Sequence, residues 1–241
     1  MRLDKLLSHA GYGSRKDVKK LIVSGTITVN DEVIKKVGFN VNPETDDVRY
    51  MNESVLYQEF YYVMLNKPDG IISATEDREY ETVIDWVELD FGHAQLFPVG
   101  RLDIDTTGLL LLSNNGQLAH QLLSPKKKVK KRYEALIEGL VTEEDIQKFE
   151  KGLDLGDFVT QSANLEILEV NEAYAQTLIH VEITEGKFHQ VKRMFEAVDK
   201  EVIQLHRISM GPLKLDSELA LGEYRELTEE EMTLLIPYGL E

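Results

Sequence analysis

The sequence contains no cysteine. That excludes disulfides, thiolate zinc sites and a cysteine nucleophile, and it is compatible with a reducing cytosol. No apolar run approaches the ~18 residues of a membrane-spanning helix. The first residues, Met1-Arg2-Leu3-Asp4-Lys5, carry charges of both signs where a secretory signal would be apolar. A cytoplasmic protein without membrane attachment is therefore expected. Internal repeats, low-complexity tracts and metal-spaced His clusters are also missing, so no metal site is anticipated. Positive charge is scarce: 27 Lys and Arg stand against 43 Asp and Glu, a net charge of −16. Taken whole, that balance argues against a nucleic-acid partner, because phosphate neutralisation dominates such affinity.

The few cations are clustered. Residues 1–36 hold Arg2, Lys5, Arg15, Lys16, Lys19, Lys20, Lys35 and Lys36 against four acids. Leu3, Leu6 and Leu7 recur at helical spacing, and Gly11 and Gly13 break that helix. Ser14 with Asp17 is a capping signal for a second helix. Its apolar stripe of Val18, Leu21 and Ile22 leaves Arg15, Lys16, Lys19 and Lys20 on the other face. Gly25 ends it, and Thr26-Ile27-Thr28-Val29 reads as a strand. Six more cations, Lys126, Lys127, Lys128, Lys130, Lys131 and Arg132, occur with no acid among them. They lead into Tyr133, Ala135 and Ile137 at strand spacing. Charge runs are usually solvated loops, but cations joined to a strand that begins with Tyr suit a phosphate backbone.

At 241 residues with 42% hydrophobic content the chain can bury one or two cores. Asn52 to Glu59 reads as a linker, and Phe60 to Leu65 as a buried strand stopped at Asn66-Lys67-Pro68-Asp69-Gly70. Domains of 1–59 and 60–241 follow. Thr82 to Leu89 is expected to be a helix anchored by Trp86.

The chain is organised around Phe97 to Gly116. Four leucines, Leu109 to Leu112, lie between Gly108 and Asn114-Asn115-Gly116, too short a run for a helix and right for a buried strand. Asp103 and Asp105 then fall in a loop fixed to that strand, a setting typical of functional polar groups. Two acids in a turn are by themselves ordinary caps. Arg101 beside them would keep a carboxylate ionised, as a nucleophile or base requires. Asp-x-Asp-x-Thr after a strand also looks like the nucleophile loop of haloacid-dehalogenase-type phosphatases. Those need magnesium held by further acids, which the later sequence does not offer as an obvious pair.

Gly100-Arg101-Leu102-Asp103-Ile104-Asp105-Thr106-Thr107-Gly108-Leu109 resembles the signature of the RsuA-type bacterial rRNA pseudouridine synthases, in which the Asp of Gly-Arg-Leu-Asp is catalytic. The resemblance assigns that role to Asp103. Residues 2–30 resemble the S4 RNA-binding module, and Asn66-Lys67-Pro68 with Gly70 looks like the start of the family's catalytic domain. Lys131-Arg132-Tyr133 falls at the family's second motif, whose Tyr stacks on the target base. In Glu185-Gly186-Lys187-Phe188-His189-Gln190-Val191-Lys192-Arg193, the basic residue that pairs with the catalytic Asp maps to Lys192, with Arg193 as the weaker match. Phe188, Val191, Phe195 and Val198 give that helix an apolar face, opposite His189, Lys192 and Arg193. His189 and Arg193 would meet RNA phosphate or the active carboxylate. Leu205 matches the aliphatic residue placed against the Tyr.

The resemblance implies an α+β protein, a small S4-like (αL) domain followed by a catalytic domain with a largely antiparallel mixed sheet. It implies conversion of a uridine to pseudouridine without cofactor or metal, Asp103 being held by Lys192 and Arg101. The fit from Glu185 through Glu231 is closer to the small-subunit (16S) enzymes than to the large-subunit (23S) ones. A monomer acting on 16S rRNA in an assembling small subunit is the expectation. A ribosome-associated RNA-binding protein with a degenerate catalytic domain is the alternative from another class.

Overall fold

The computed structural model describes residues 1–240; Glu241, the last residue of the expected second domain, lies outside them. The chain forms two compact units, Met1–Tyr61 with Trp86–Leu96, and Tyr62–Asp85 with the chain from Phe97 onward.

In the first unit, α1 (Leu3–His9) and α2 (Arg15–Ser24) precede β1 (Ile27–Val29), β2 (Glu32–Val33), β3 (Val48–Tyr50) and β4 (Glu53–Ser54). Ser14 caps α2 by accepting the Asp17 N–H at 3.3 Å. Gly25 closes the helix at φ +77°, a conformation that costs glycine least. The strands form an antiparallel sheet in the order β2-β1-β3-β4. Leu3, Leu6, Leu7, Val18, Ile22, Ile27 and Val48 make one core. Each such side chain stabilises by about 1.5–3 kcal/mol on full burial. The helical stripes read from the sequence are therefore the buried faces.

The second unit is built on a nine-stranded mixed sheet. Its members are β5 (Tyr62–Lys67), β6 (Phe97–Val99), β7 (Thr107–Ser113), β8 (Lys131–Glu138), β9 (Asn164–Asn171), β10 (Gln176–Ile183), β11 (Glu201–Met210), β12 (Leu213–Lys214) and β13 (Tyr224–Glu226). The order is β13-β5-β7-β11-β8-β10-β9, with β6 on β7 and β12 on β11. Pairings are antiparallel except β7 with β11. The helices are α3 (Val83–Phe91), through which the division between units passes, α4 (Gly116–Leu123), α5 (Glu143–Lys151), α6 (Gln190–Glu196) and α7 (Glu229–Leu235). Trp86, the expected anchor of α3, is 37% exposed on the helix.

All four leucines of β7 are buried, because both faces of this central strand are covered. Leu109 and Leu111 join Leu118 and Leu122 of α4 and Leu235 of α7 in one cluster. Phe149 of α5 and Phe195 of α6 meet at 4.9 Å between ring centres. The parallel pairing of β7 with β11 depends on Gly108. At φ +103°, a Cβ on that residue would lie 2.6 Å from the Arg207 backbone nitrogen, so only glycine lets the two backbones approach.

Candidate active site

The loop between β6 and β7 is held from below. Lys67, wholly buried at the end of β5, donates from Nζ to the carbonyls of Pro68 (3.0 Å), Ile104 (3.2 Å) and Thr106 (2.9 Å). Burial lowers its pKa to about 8, against the opposing pull of Asp69, Asp105 and Asp103. On the other side Ser73 Oγ donates to the Leu102 carbonyl at 2.9 Å and accepts the Leu102 N–H at 3.0 Å. Asp103 is thus presented on a segment tied down at both ends, as a reacting group must be.

That segment forms one wall of a cavity of about 940 Å³, whose lining includes Asp103, His189 and Lys192 together with Lys131, Tyr133, Leu205 and Arg207. Strand alternation puts Lys131, Tyr133 and Ala135 on one face of β8. The register with β11 sets Arg207 opposite Tyr133 and Leu205 opposite Ala135 on that same face. Tyr133 and Leu205 are both 7% exposed. The volume fits one inserted nucleoside between apolar and aromatic walls.

Across the cavity, α6 brings two basic groups to Asp103. Lys192 Nζ lies 3.6 Å from Asp103 and 2.6 Å from Asp105, and His189 Nε2 lies 3.7 Å from Asp103. Gln190 fixes the turn before the helix, accepting the Lys187 N–H and donating to Glu185 at 2.9 Å. Lys192 therefore bridges the two acids and is nearer the outer one. Burial raises the Asp105 carboxyl, but the hydrogen bond and charge of Lys192 outweigh it and hold the group below the ordinary carboxylate range. Asp105 has a side chain 60% exposed and Asp103 only 29%. Of these two acids, Asp103 is the one that lines the cavity.

Several expected site residues are placed otherwise. Arg101 lines the cavity from an exposed position and has no ion pair with Asp103, so it does not hold that carboxylate. Arg193 is captured by Asp157 and the Leu155 carbonyl and lies over the Phe158 ring, which removes it from Asp103. The run 126–132 does not act as one cationic surface. Lys126, Lys127 and Lys128 are exposed, whereas Lys130 pairs with Glu182 at 2.8 Å. Arg132, on the face of β8 opposite the cavity, pairs with Glu166 at 2.5 Å. Phe188 is not part of an apolar helix face: α6 begins only at Gln190, and Phe188 is exposed and stacked on His189 with ring centres 3.8 Å apart. In the first unit Arg2 pairs with Asp4 and Lys20 with Asp17, while Lys5, Arg15, Lys16 and Lys19 are exposed.

Ser73 and Arg207 carry no signal in the sequence analysis, and Lys67 enters it only within Asn66-Lys67-Pro68, with no role of its own. A lysine closing a six-residue apolar strand and followed by proline was the one visible signal, because the chain beyond it must turn back over the lysine. Arg207 is 1% exposed within β11 and nothing in its local pattern marks it.

Residues 61–197 match the family model for RNA pseudouridylate synthase, and residues 1–48 match the S4 domain. The chain is 50% identical to an uncharacterized RNA pseudouridine synthase of Bacillus subtilis (strain 168), over 98% of both chains. It is 37% identical to ribosomal small subunit pseudouridine synthase A of Escherichia coli (strain K12), covering 98% of this chain and 100% of that one. A crystal structure of a pseudouridylate synthase superposes with a TM-score of 0.66 at 34% identity, covering 98% of this chain and 99% of the other.

Proposed function

The chain belongs to the RNA pseudouridylate synthase family, an isomerase with an N-terminal S4 domain, and on that premise we propose that it converts one uridine of 16S ribosomal RNA to pseudouridine with Asp103 as the reacting carboxylate. The observation that carries the assignment is the meeting of Asp103, Tyr133, Leu205 and Lys192 around one cavity with room for a flipped-out nucleoside. These four come from positions between 103 and 205, and only folding joins them.

The reaction breaks the N1–C1′ bond, turns the uracil within the site and bonds C5 to C1′. The base must leave its stack to be reached, so the target is single-stranded or flipped out. Tyr133 stacks on it, and Leu205 backs the Tyr ring. Asp103 acts on the sugar carbon, on the ring or on a proton, oriented by Lys192 Nζ at 3.6 Å and His189 Nε2 at 3.7 Å. RNA binding falls to residues 1–59 and catalysis to residues 60–241, with the monomer as the working form. The small-subunit preference rests on the Escherichia coli relative. Against the phosphatase reading, the space between Asp103 and Asp105 is taken by the Lys192 ammonium, where a magnesium ion would have to sit.

Purified protein incubated with 16S and 23S transcripts carrying tritium at uridine C5 tests this reading. Release from 16S at one site is expected. Release from 23S alone would shift the substrate to the large subunit, and binding without release would leave an RNA-binding protein.

A further inference from the structure

The cavity floor carries two cations that no acid neutralises. Arg207 is 1% exposed, and its one side-chain hydrogen bond runs from Nε to the Leu109 carbonyl at 2.8 Å. Its Nη2 is buried with no partner. Lys131 turns its ammonium inward, donating to the carbonyls of Val129 at 3.2 Å and Glu185 at 3.3 Å, which leaves one of its three N–H groups free. Neither cation has a carboxylate within ion-pair distance among the described residues. Burial, and next the charge of Arg207, bring the Lys131 ammonium down to about pKa 8, so the two groups feel each other. Burying unpaired positive charge is costly, and the cost is tolerated where a ligand supplies the missing negative charge.

Resting on the synthase reading above, we propose that Lys131 and Arg207 contact the carbonyl oxygens of the inserted uracil and hold the negative charge it carries while detached from the sugar. When N1–C1′ breaks, the bonding pair stays on the ring, shared among N1, O2 and O4. The ring uses a pair to form C5–C1′, C5 then gives up its proton, and N1 takes one up. An anion therefore exists only between cleavage and rejoining, and donors fixed against it favour the transition state over bound substrate. Position separates the base from the phosphate as the partner. Lys131 and Arg207 share a sheet face with Tyr133, which would stack on the ring, and with Leu205 behind that Tyr. The exposed cations Arg101, Lys126 to Lys128 and Lys187 are open to the RNA backbone.

The test compares Lys131→Met, Lys131→Arg and Arg207→Lys with the unaltered enzyme. Label release in a single turnover at saturating RNA is read beside RNA affinity by filter binding and thermal unfolding. Lys131→Met should slow the single turnover about 10²- to 10³-fold with affinity within about threefold of the original. Lys131→Arg, which keeps the charge, should recover most of the rate. Should Arg207→Lys fail to fold, the Lys131 pair decides alone. An unchanged single-turnover rate would overturn the proposal. So would a loss of affinity with a salt slope lowered by about one, which marks a phosphate contact. Inactivity of the unaltered enzyme on every rRNA would bring down the synthase reading and this floor with it, and is recognised because it involves no substitution.

Discussion

Gly108→Ala asks whether the close approach of β7 and β11 is what seats the site. A methyl group there must adopt φ +103°, which costs about 1–3 kcal/mol for a residue other than glycine. It must also push the Arg207 backbone away from a position 2.6 Å distant at its nitrogen, an overlap worth about 1–3 kcal/mol. Moving the strands apart would weaken the bond from Arg207 Nε to the Leu109 carbonyl, a further ~1 kcal/mol. The sum is roughly 3–7 kcal/mol, or about 6–28 °C in the midpoint of a chain this long. Gly70→Ala is the control: φ is +87° but nothing lies within 4 Å, so only the backbone cost of about 1–2 kcal/mol applies. Thermal unfolding followed by circular dichroism reads both. Equal midpoints for the two variants, within about 3 °C, would refute the claim that backbone crowding at Gly108 matters.

Lys67→Met should loosen the Asp103 loop and flatten part of the alkaline stability profile. The folded pKa of about 8 lies below the ordinary 10.5, so the unfolded chain holds the proton more tightly. Stability therefore rises with pH between 8 and 10.5 and is lost as pH falls through 8; urea midpoints of variant and parent across that window should converge differently, and parallel curves would count against a buried lysine. Changing Lys5, Arg15, Lys16 and Lys19 together to Gln should lower the salt slope of RNA binding by about 2–4. The single-turnover rate at saturating RNA should stay as it was; a slowed rate with full affinity would contradict the division of roles. Changing Lys126, Lys127 and Lys128 to Gln should weaken binding, whereas Arg132→Gln should weaken it far less because Glu166 already occupies that guanidinium; filter binding at two salt concentrations separates them.

Much of the fold follows from local pattern. The β7 leucines read as a covered strand because a four-residue apolar run between glycine and asparagine turns can bury both faces and is too short for a helix. Ser14 and Asp17 announced α2 because capping acts over three residues. What failed depended on partners distant in the chain. Arg193 and Lys192 are neighbours in sequence, yet Asp157 takes one and Asp103 with Asp105 the other, and nothing near residue 193 says so. Lys131 and Arg132 look alike in a basic run, but strand alternation sends one into the cavity and the other to the opposite face. Phe188 sits at helical spacing from Val191, but His189 at φ +48° breaks the periodicity before the helix begins. Residues 86–96 group with the first unit through contacts such as His93 with Tyr61 at 3.2 Å, which no linker composition reveals.

Label release by the asparagine variants of Asp103 and Asp105 compares the two carboxylates directly. Asp103→Asn should release no tritium from a 16S transcript while still binding it. Asp105→Asn should remain active, slowed at most through the loss of its contact with Lys192. An inactive Asp105→Asn beside an active Asp103→Asn would contradict the assignment of the inner carboxylate.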